Sequence, residues 1–204
     1  LRITIREGKT QVTDEILDEA FETFNYGESK KINNATLERV ARHEAGHALL
    51  CYLSGENPSY LTVVSRGNHG GYMKHGDNED KGIYTRDDIL AEIRTSLGGR
   101  AAEIVCYGEN DGISTGAASD LAHATALATG LVCRYGMYDD FGLAVFNSTD
   151  SPEVRAIVNK ILREQMSESI RILTENRVKL DVLVSELLSK NSLAEEEIVQ
   201  ILAD

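Results

Sequence analysis

The sequence predicts a mainly α-helical domain with a small β-sheet or hairpin. Three observations lead there. Apolar residues recur at helical spacing along most of the 204-residue chain. Helix-starting residues stand where those segments begin, at Thr13, Thr85 and the pair Ser151-Pro152. β-Branched residues, by contrast, gather in one short run, Tyr60-Leu-Thr-Val-Val-Ser65.

In chain order, a first helix is expected from Asp14 to Phe24, capped by Thr13. A second runs from Ala35 to Leu53 and stops at Ser54-Gly55. The strand at Tyr60–Ser65 follows, and Gly70-Gly-Tyr-Met73 extends it into a small sheet, although two glycines weaken a strand interior. The polar stretch from His75 to Lys81 reads as a loop. Thr85-Arg-Asp-Asp88 is a capping-box variant that opens a helix to Cys106, interrupted at Gly98-Gly99. Leu121, Ala124, Ala128 and Leu131 give the stretch from Thr115 to Arg134 helical spacing. Proline suits a first helical turn, so Ser151-Pro152-Glu153 starts a helical segment that reaches Lys190 with a break near Asn176. Ser192-Leu-Ala-Glu195 reads as the capping box of a short final helix.

The net charge of -12 argues against a nucleic-acid partner, because phosphate binding needs a concentrated basic surface. Cys51, Cys106 and Cys133 are odd in number and contain no C-x-x-C pair. They indicate neither a disulfide framework nor a thiolate zinc site, and fit reduced thiols in a reducing compartment. No run approaches the roughly 18 apolar residues of a membrane span. None of the three methionines begins the chain, which reads as a piece of a longer protein.

One motif carries chemistry. Residues 43 to 47 read His-Glu-Ala-Gly-His, an H-E-x-x-H on the second helix. Histidines four apart share a helix face, so His43 and His47 can reach one metal ion, for which zinc is the natural choice. Glu44 can lean over the open coordination position as general base. Ala45, Ala48, Leu49 and Leu50 mark the helix as buried, and two buried histidines need partners. A third ligand must come from elsewhere. Cys51 is rotated away from an ion shared with His43 and reads as a buried thiol, while His69 and His75 fall in the loop region. Glu103 and Asp120 are the carboxylate candidates. His123 shares a face with Asp120 and could replace it. Spacing alone does not choose between Glu103 and Asp120.

At this point the residues resemble the peptidase domain of the FtsH-type ATP-dependent zinc metalloproteases. Leu37-Glu-Arg-Val-Ala-Arg-His-Glu-Ala-Gly-His-Ala48 is similar to that family's zinc helix, and Leu97-Gly-Gly-Arg-Ala-Ala-Glu103 to its second signature. Ser114-Thr-Gly-Ala-Ala-Ser-Asp-Leu121 is similar to the segment that supplies the third ligand. Tyr135-Gly-Met137 and Glu175-Asn-Arg-Val-Lys-Leu180 match later landmarks. Val12-Thr-Asp-Glu-Ile-Leu-Asp-Glu-Ala-Phe21 resembles the last helix of the ATPase module that precedes the peptidase. The resemblance implies a tail of that ATPase subdomain or a linker over residues 1–34 and a zinc metallopeptidase domain over 35–204. It implies His43, His47 and Asp120 as zinc ligands and Glu44 as base, which leaves Glu103 as a supporting carboxylate. It also implies unfolded polypeptide substrates, a hexameric ring, ATP used only through a module outside this chain, and a place on the cytoplasmic side of a membrane.

The chain departs from the family where Ile104 replaces a second glutamate and where Ala118-Ser119 precede Asp120. Ser65-Arg-Gly-Asn-His-Gly-Gly and His75-Gly-Asp-Asn replace proline-containing turns around the β element. No departure removes a ligand or the base; they bear on the cleft. There, Gly71, Tyr72 and Met73 are the candidate substrate-binding strand, with glycine allowing close backbone approach. The rival expectation is a catalytically silent, peptidase-like scaffold module.

Overall fold

The computed structural model describes residues 11–67, 70–76, 82–139, 141–146 and 151–203. His69 and most of the stretch from His75 to Lys81 lie outside them. Within them the architecture is seven α-helices and one three-stranded antiparallel sheet. The helices are α1 (Asp14–Tyr26), α2 (Asn34–Leu53), α3 (Arg86–Asp111), α4 (Ala118–Cys133), α5 (Pro152–Glu175), α6 (Arg177–Lys190) and α7 (Glu195–Ala203). The strands are β1 (Pro58–Thr62), β2 (Tyr72–His75) and β3 (Ser192–Ala194). The mainly helical class and the small sheet agree with the sequence reading.

Local chemistry explains most of the boundaries. Thr85 caps α3 with a reciprocal box, its hydroxyl accepting from the Asp88 N–H while the Asp88 carboxylate accepts from the Thr85 N–H. Ser151 caps α5 ahead of Pro152. Asn176 ends α5, and α6 restarts at once, which is the expected break. Thr13 stands at the N-cap of α1 but makes no side-chain capping bond.

Three expectations need correction. The helix through Gly98-Gly99 is continuous and kinks instead at Gly108, where φ is 80°. The two glycines serve packing. A Cβ on Gly46 would sit 2.4 Å from the Gly98 carbonyl oxygen, and a Cβ on Gly98 would sit 2.8 Å from the Gly46 oxygen. Backbones of α2 and α3 therefore touch, which only glycine allows. Residues 115–117 form a 3-10 turn before α4, where one helix was expected. Ser192–Ala194 is a strand, not a capping box; Glu197 supplies the α7 cap by accepting from the Ala194 N–H at 3.1 Å. The sheet order is β2-β1-β3, with Leu61 opposite both Met73 and Leu193.

Two cores hold these elements. One lies among α2, α3, α6, α7 and the sheet, around Leu49, Leu50, Leu61, Leu180, Leu187 and Leu193. Each such leucine contributes about 1.5–3 kcal/mol relative to exposure. The other joins α3, α4 and α5 around Ile93, Leu97, Leu131 and Ile161. Helix α3 belongs to both, so it fixes α4 against α2. Helix α1 is pinned to the β side by the Arg66–Glu19 ion pair and by Tyr26 stacking on Tyr72, with centroids 4.7 Å apart.

Candidate active site

The second helix carries its H-E-x-x-H segment into the core. His43, Glu44 and His47 are each 8% exposed. Burial on this scale obliges every ring nitrogen to find a partner. His43 Nδ1 donates to Glu103 Oε1 at 2.8 Å, and His47 Nδ1 donates to the Thr95 carbonyl at 2.7 Å. Both acceptors lack a proton to give, so each keeps a proton on Nδ1 and leaves Nε2 as the ring atom available to a metal ion. The α3 helix supplies both.

Those two Nε2 atoms meet Asp120, in the first turn of α4. Asp120 Oδ2 lies 3.1 Å from His43 Nε2 and 3.6 Å from His47 Nε2. The three donor atoms lie within 4.8 Å of one another. Donors about 2.0–2.2 Å from a tetrahedral zinc are themselves about 3.3–3.6 Å apart, so the group fits that ion in spacing and in chemistry. Gly99 completes the cradle: a Cβ there would stand 2.2 Å from His43 Nε2.

Glu103 is 1% exposed and approaches His43 from the opposite nitrogen. It also accepts from Arg39 and, at 3.0 Å, from the Ser114 hydroxyl. Burial works to raise its pKa, but His43, Arg39 and Ser114 outweigh it and hold the carboxyl below its ordinary value. For His43, burial works to lower the pKa, yet bonding to Asp120 and Glu103 raises it to about 10. Asp120 is held well below the carboxylate range: burial opposes this, and the His43 and His47 contacts win. A fixed carboxylate thus faces the His43 ring on each side, while His47 lies between Asp120 and the Thr95 carbonyl.

The other sequence candidates lie outside the three-donor group, although several border the same cleft. His123 is exposed and pairs with Glu92 at 3.1 Å, outside the three-donor group. Cys51 is a buried free thiol, also outside it. Gly71, Tyr72 and Met73 line a cleft of about 560 Å³ together with His43, Glu44 and His47. A Cβ on Gly71 would meet the Thr62 carbonyl oxygen at 2.5 Å and Glu44 Cγ at 3.1 Å, so this backbone passes directly over the Glu44 side chain. The Tyr72 ring turns the other way, bonding Glu22 through its hydroxyl and stacking on Tyr26. Sequence reasoning missed Arg39, Thr95 and Ser114. Arg39 had a signal, one helical turn before His43; Thr95 acts through its carbonyl, which no side-chain pattern reveals.

Among the described residues no helix is long and apolar enough to cross a membrane. The model of peptidase family M41 matches residues 30–201. The chain is 34% identical over 222 residues to the ATP-dependent zinc metalloprotease FtsH 2 of Symbiobacterium thermophilum, covering 98% of this chain and 37% of that protein. It is 33% identical to the ATP-dependent zinc metalloprotease FtsH of Mesomycoplasma conjunctivae, at 98% and 29% coverage, and 32% identical to that of Mycobacterium tuberculosis, at 99% and 29%. The chain thus spans about a third of the length of these relatives. With the family model covering most of its residues, the chain belongs to peptidase family M41.

Proposed function

We propose that the chain is a zinc-dependent endopeptidase of the H-E-x-x-H kind, and that it works on unfolded polypeptide. The observation that carries this reading is the meeting of His43, His47 and Asp120 donor atoms from two helices beside a buried glutamate. His43, His47 and Asp120 would hold the ion, which supplies Lewis acidity to the scissile carbonyl and acidifies a water at neutral pH. Glu44 takes the proton of the attacking water on a carboxylate oxygen and returns it to the leaving amide nitrogen. Glu103 and the Thr95 carbonyl keep both imidazoles in the orientation that aims Nε2 at the cleft. The outer edge of β2, beside the cleft, offers backbone groups for an extended peptide, with Gly71 permitting close approach.

The names of the relatives extend the proposal: this domain acts within a longer ATP-driven protease. In that setting residues 1–34 are the tail of an ATPase module or a linker and 35–204 the peptidase. The assembly is a hexameric ring on the cytoplasmic side of a membrane. The test compares the zinc-replete chain with Glu44→Gln on an unfolded polypeptide such as casein. Loss of a general base lowers turnover by about 100-fold or more, with folding and zinc binding retained. Equal cleavage by both proteins would remove Glu44 from the mechanism; no cleavage by the folded, zinc-replete parent would return the scaffold reading.

A further inference from the structure

The last turn of α2 carries a second constellation one helical turn beyond His47. Cys51 is fully buried there, Glu56 follows in the loop to β1, and His75 ends β2. Cys51 Sγ lies 3.7 Å from His75 Nδ1, and His75 Nδ1 lies 3.6 Å from Glu56 Oε2. One donor atom from each of the three falls within 4.8 Å of the others, in a group that shares no residue with His43, His47 and Asp120.

Hydrogen bonds reach the Cys51 thiol from both sides, but all of the contacts in the group are long. The His75–Glu56 separation exceeds the usual 2.7–3.2 Å of an N–H···O bond. The thiol's carbonyl contact, to the Glu56 oxygen, is 3.8 Å long. Both side-chain separations instead approach the roughly 3.4–3.6 Å expected between sulfur, nitrogen and oxygen ligands around one tetrahedral ion. Among the described residues no lysine or arginine pairs with Glu56 to occupy that place.

The backbone holds the three donors in position beforehand. The Glu56 N–H donates to the Cys51 carbonyl at 3.2 Å. Across the gap the Gly76 N–H donates to the Asn57 carbonyl at 2.7 Å, and the Ser59 hydroxyl donates to the His75 carbonyl at 2.7 Å. Strand end and helix end are thus registered to each other without the three donor side chains. His75 is 48% exposed, which leaves an entry path from solvent.

We propose that Cys51, Glu56 and His75 form a second divalent-metal site, suited to zinc, which fastens the end of β2 to the end of α2. Thiolate, imidazole and carboxylate together favour a borderline-soft ion, and three protein donors leave a fourth position for water. Binding replaces the Cys51 thiol proton, which leaves to solvent. The consequence is a rigid rim: β2 borders the cleft along its length, and a clamp at His75 limits how far that strand can swing.

Cobalt(II) distinguishes this site from the first, because only a thiolate ligand gives an intense near-ultraviolet sulfur-to-metal band. The chelator-treated chain is titrated with cobalt alone, with circular dichroism confirming the fold. The expected result is about two equivalents per chain and a strong band. Cys51→Ser and, independently, His75→Ala each abolish or sharply weaken the band and bring binding to about one equivalent. Asp120→Ala removes the other equivalent and leaves the band, so failure of the first site and failure of this one read differently. His75 is half exposed, so its variant carries the test should Cys51→Ser misfold. A parent without the band, or a band that survives both Cys51→Ser and His75→Ala, overturns the proposal.

Discussion

Replacing Gly99 by alanine should empty the His43-His47-Asp120 site while leaving the fold standing. The added Cβ would lie 2.2 Å from His43 Nε2 and 2.4 Å from both neighbouring ring carbons. Ordinary contact begins near 3.4 Å, so the ring must retreat by about 1.2 Å. Metal–ligand distances tolerate only about 0.2 Å, so His43 ceases to be a ligand. Disturbing a group that merely orients a ligand costs about 10–100-fold in affinity, and losing the ligand costs at least about 100-fold. Stability responds differently. Alanine favours a helix interior by about 0.8–1.0 kcal/mol over glycine, against an overpacking cost of about 1–3 kcal/mol. The melting temperature therefore moves little compared with the affinity. Zinc competition against a chromophoric chelator reads the affinity and thermal melting reads the fold. Gly82→Ala serves as control, since among the described residues nothing lies within 4 Å of its added Cβ. Zinc affinity in Gly99→Ala within about threefold of the parent would refute the cradle argument, because a loss that small leaves His43 ligating.

Two further outcomes follow from the same geometry. Glu103→Gln keeps the shape but loses the charge behind His43 Nδ1, so zinc affinity falls by about 10–100-fold in the same chelator competition; an unchanged affinity would mean that Glu103 only packs. In the metal-free chain the His43 pKa rises from its ordinary 6.5 to about 10, so its stabilising contribution is complete below 6.5 and disappears as pH climbs through 10. Melting of the chelator-treated chain should accordingly weaken across that window, and His43→Ala should flatten the trend; a parent profile as flat as the variant's would contradict it.

Much of this arrangement could be read along the chain, and the exceptions share a physical cause. Helix starts at Thr85 and Ser151 and the break at Asn176 are local events, written in residues that satisfy their own backbone. Ser192–Ala194 misled because Ser-x-x-Glu has a helix-start pattern, whereas its strand state comes from pairing with Tyr60, Leu61 and Thr62 far away in sequence. Gly98-Gly99 suggested an interruption because glycine is a poor helix former, but close approach to Gly46 and His43 outweighs propensity there. The two histidines of H-E-x-x-H were legible as a pair because helical period alone sets their shared face. Glu103 and Asp120 were not separable that way, since both lie one or more helices away. Only the packing of α3 and α4 against α2 turns one carboxylate to Nδ1 and the other to Nε2.

The most direct test is a crystal of the zinc-replete chain measured with anomalous scattering at the zinc edge. The account predicts a peak held by His43 Nε2, His47 Nε2 and Asp120 Oδ2, with Glu44 facing it across the cleft. Absence of a peak among these three, or one bound by Glu103 in place of Asp120, would contradict it.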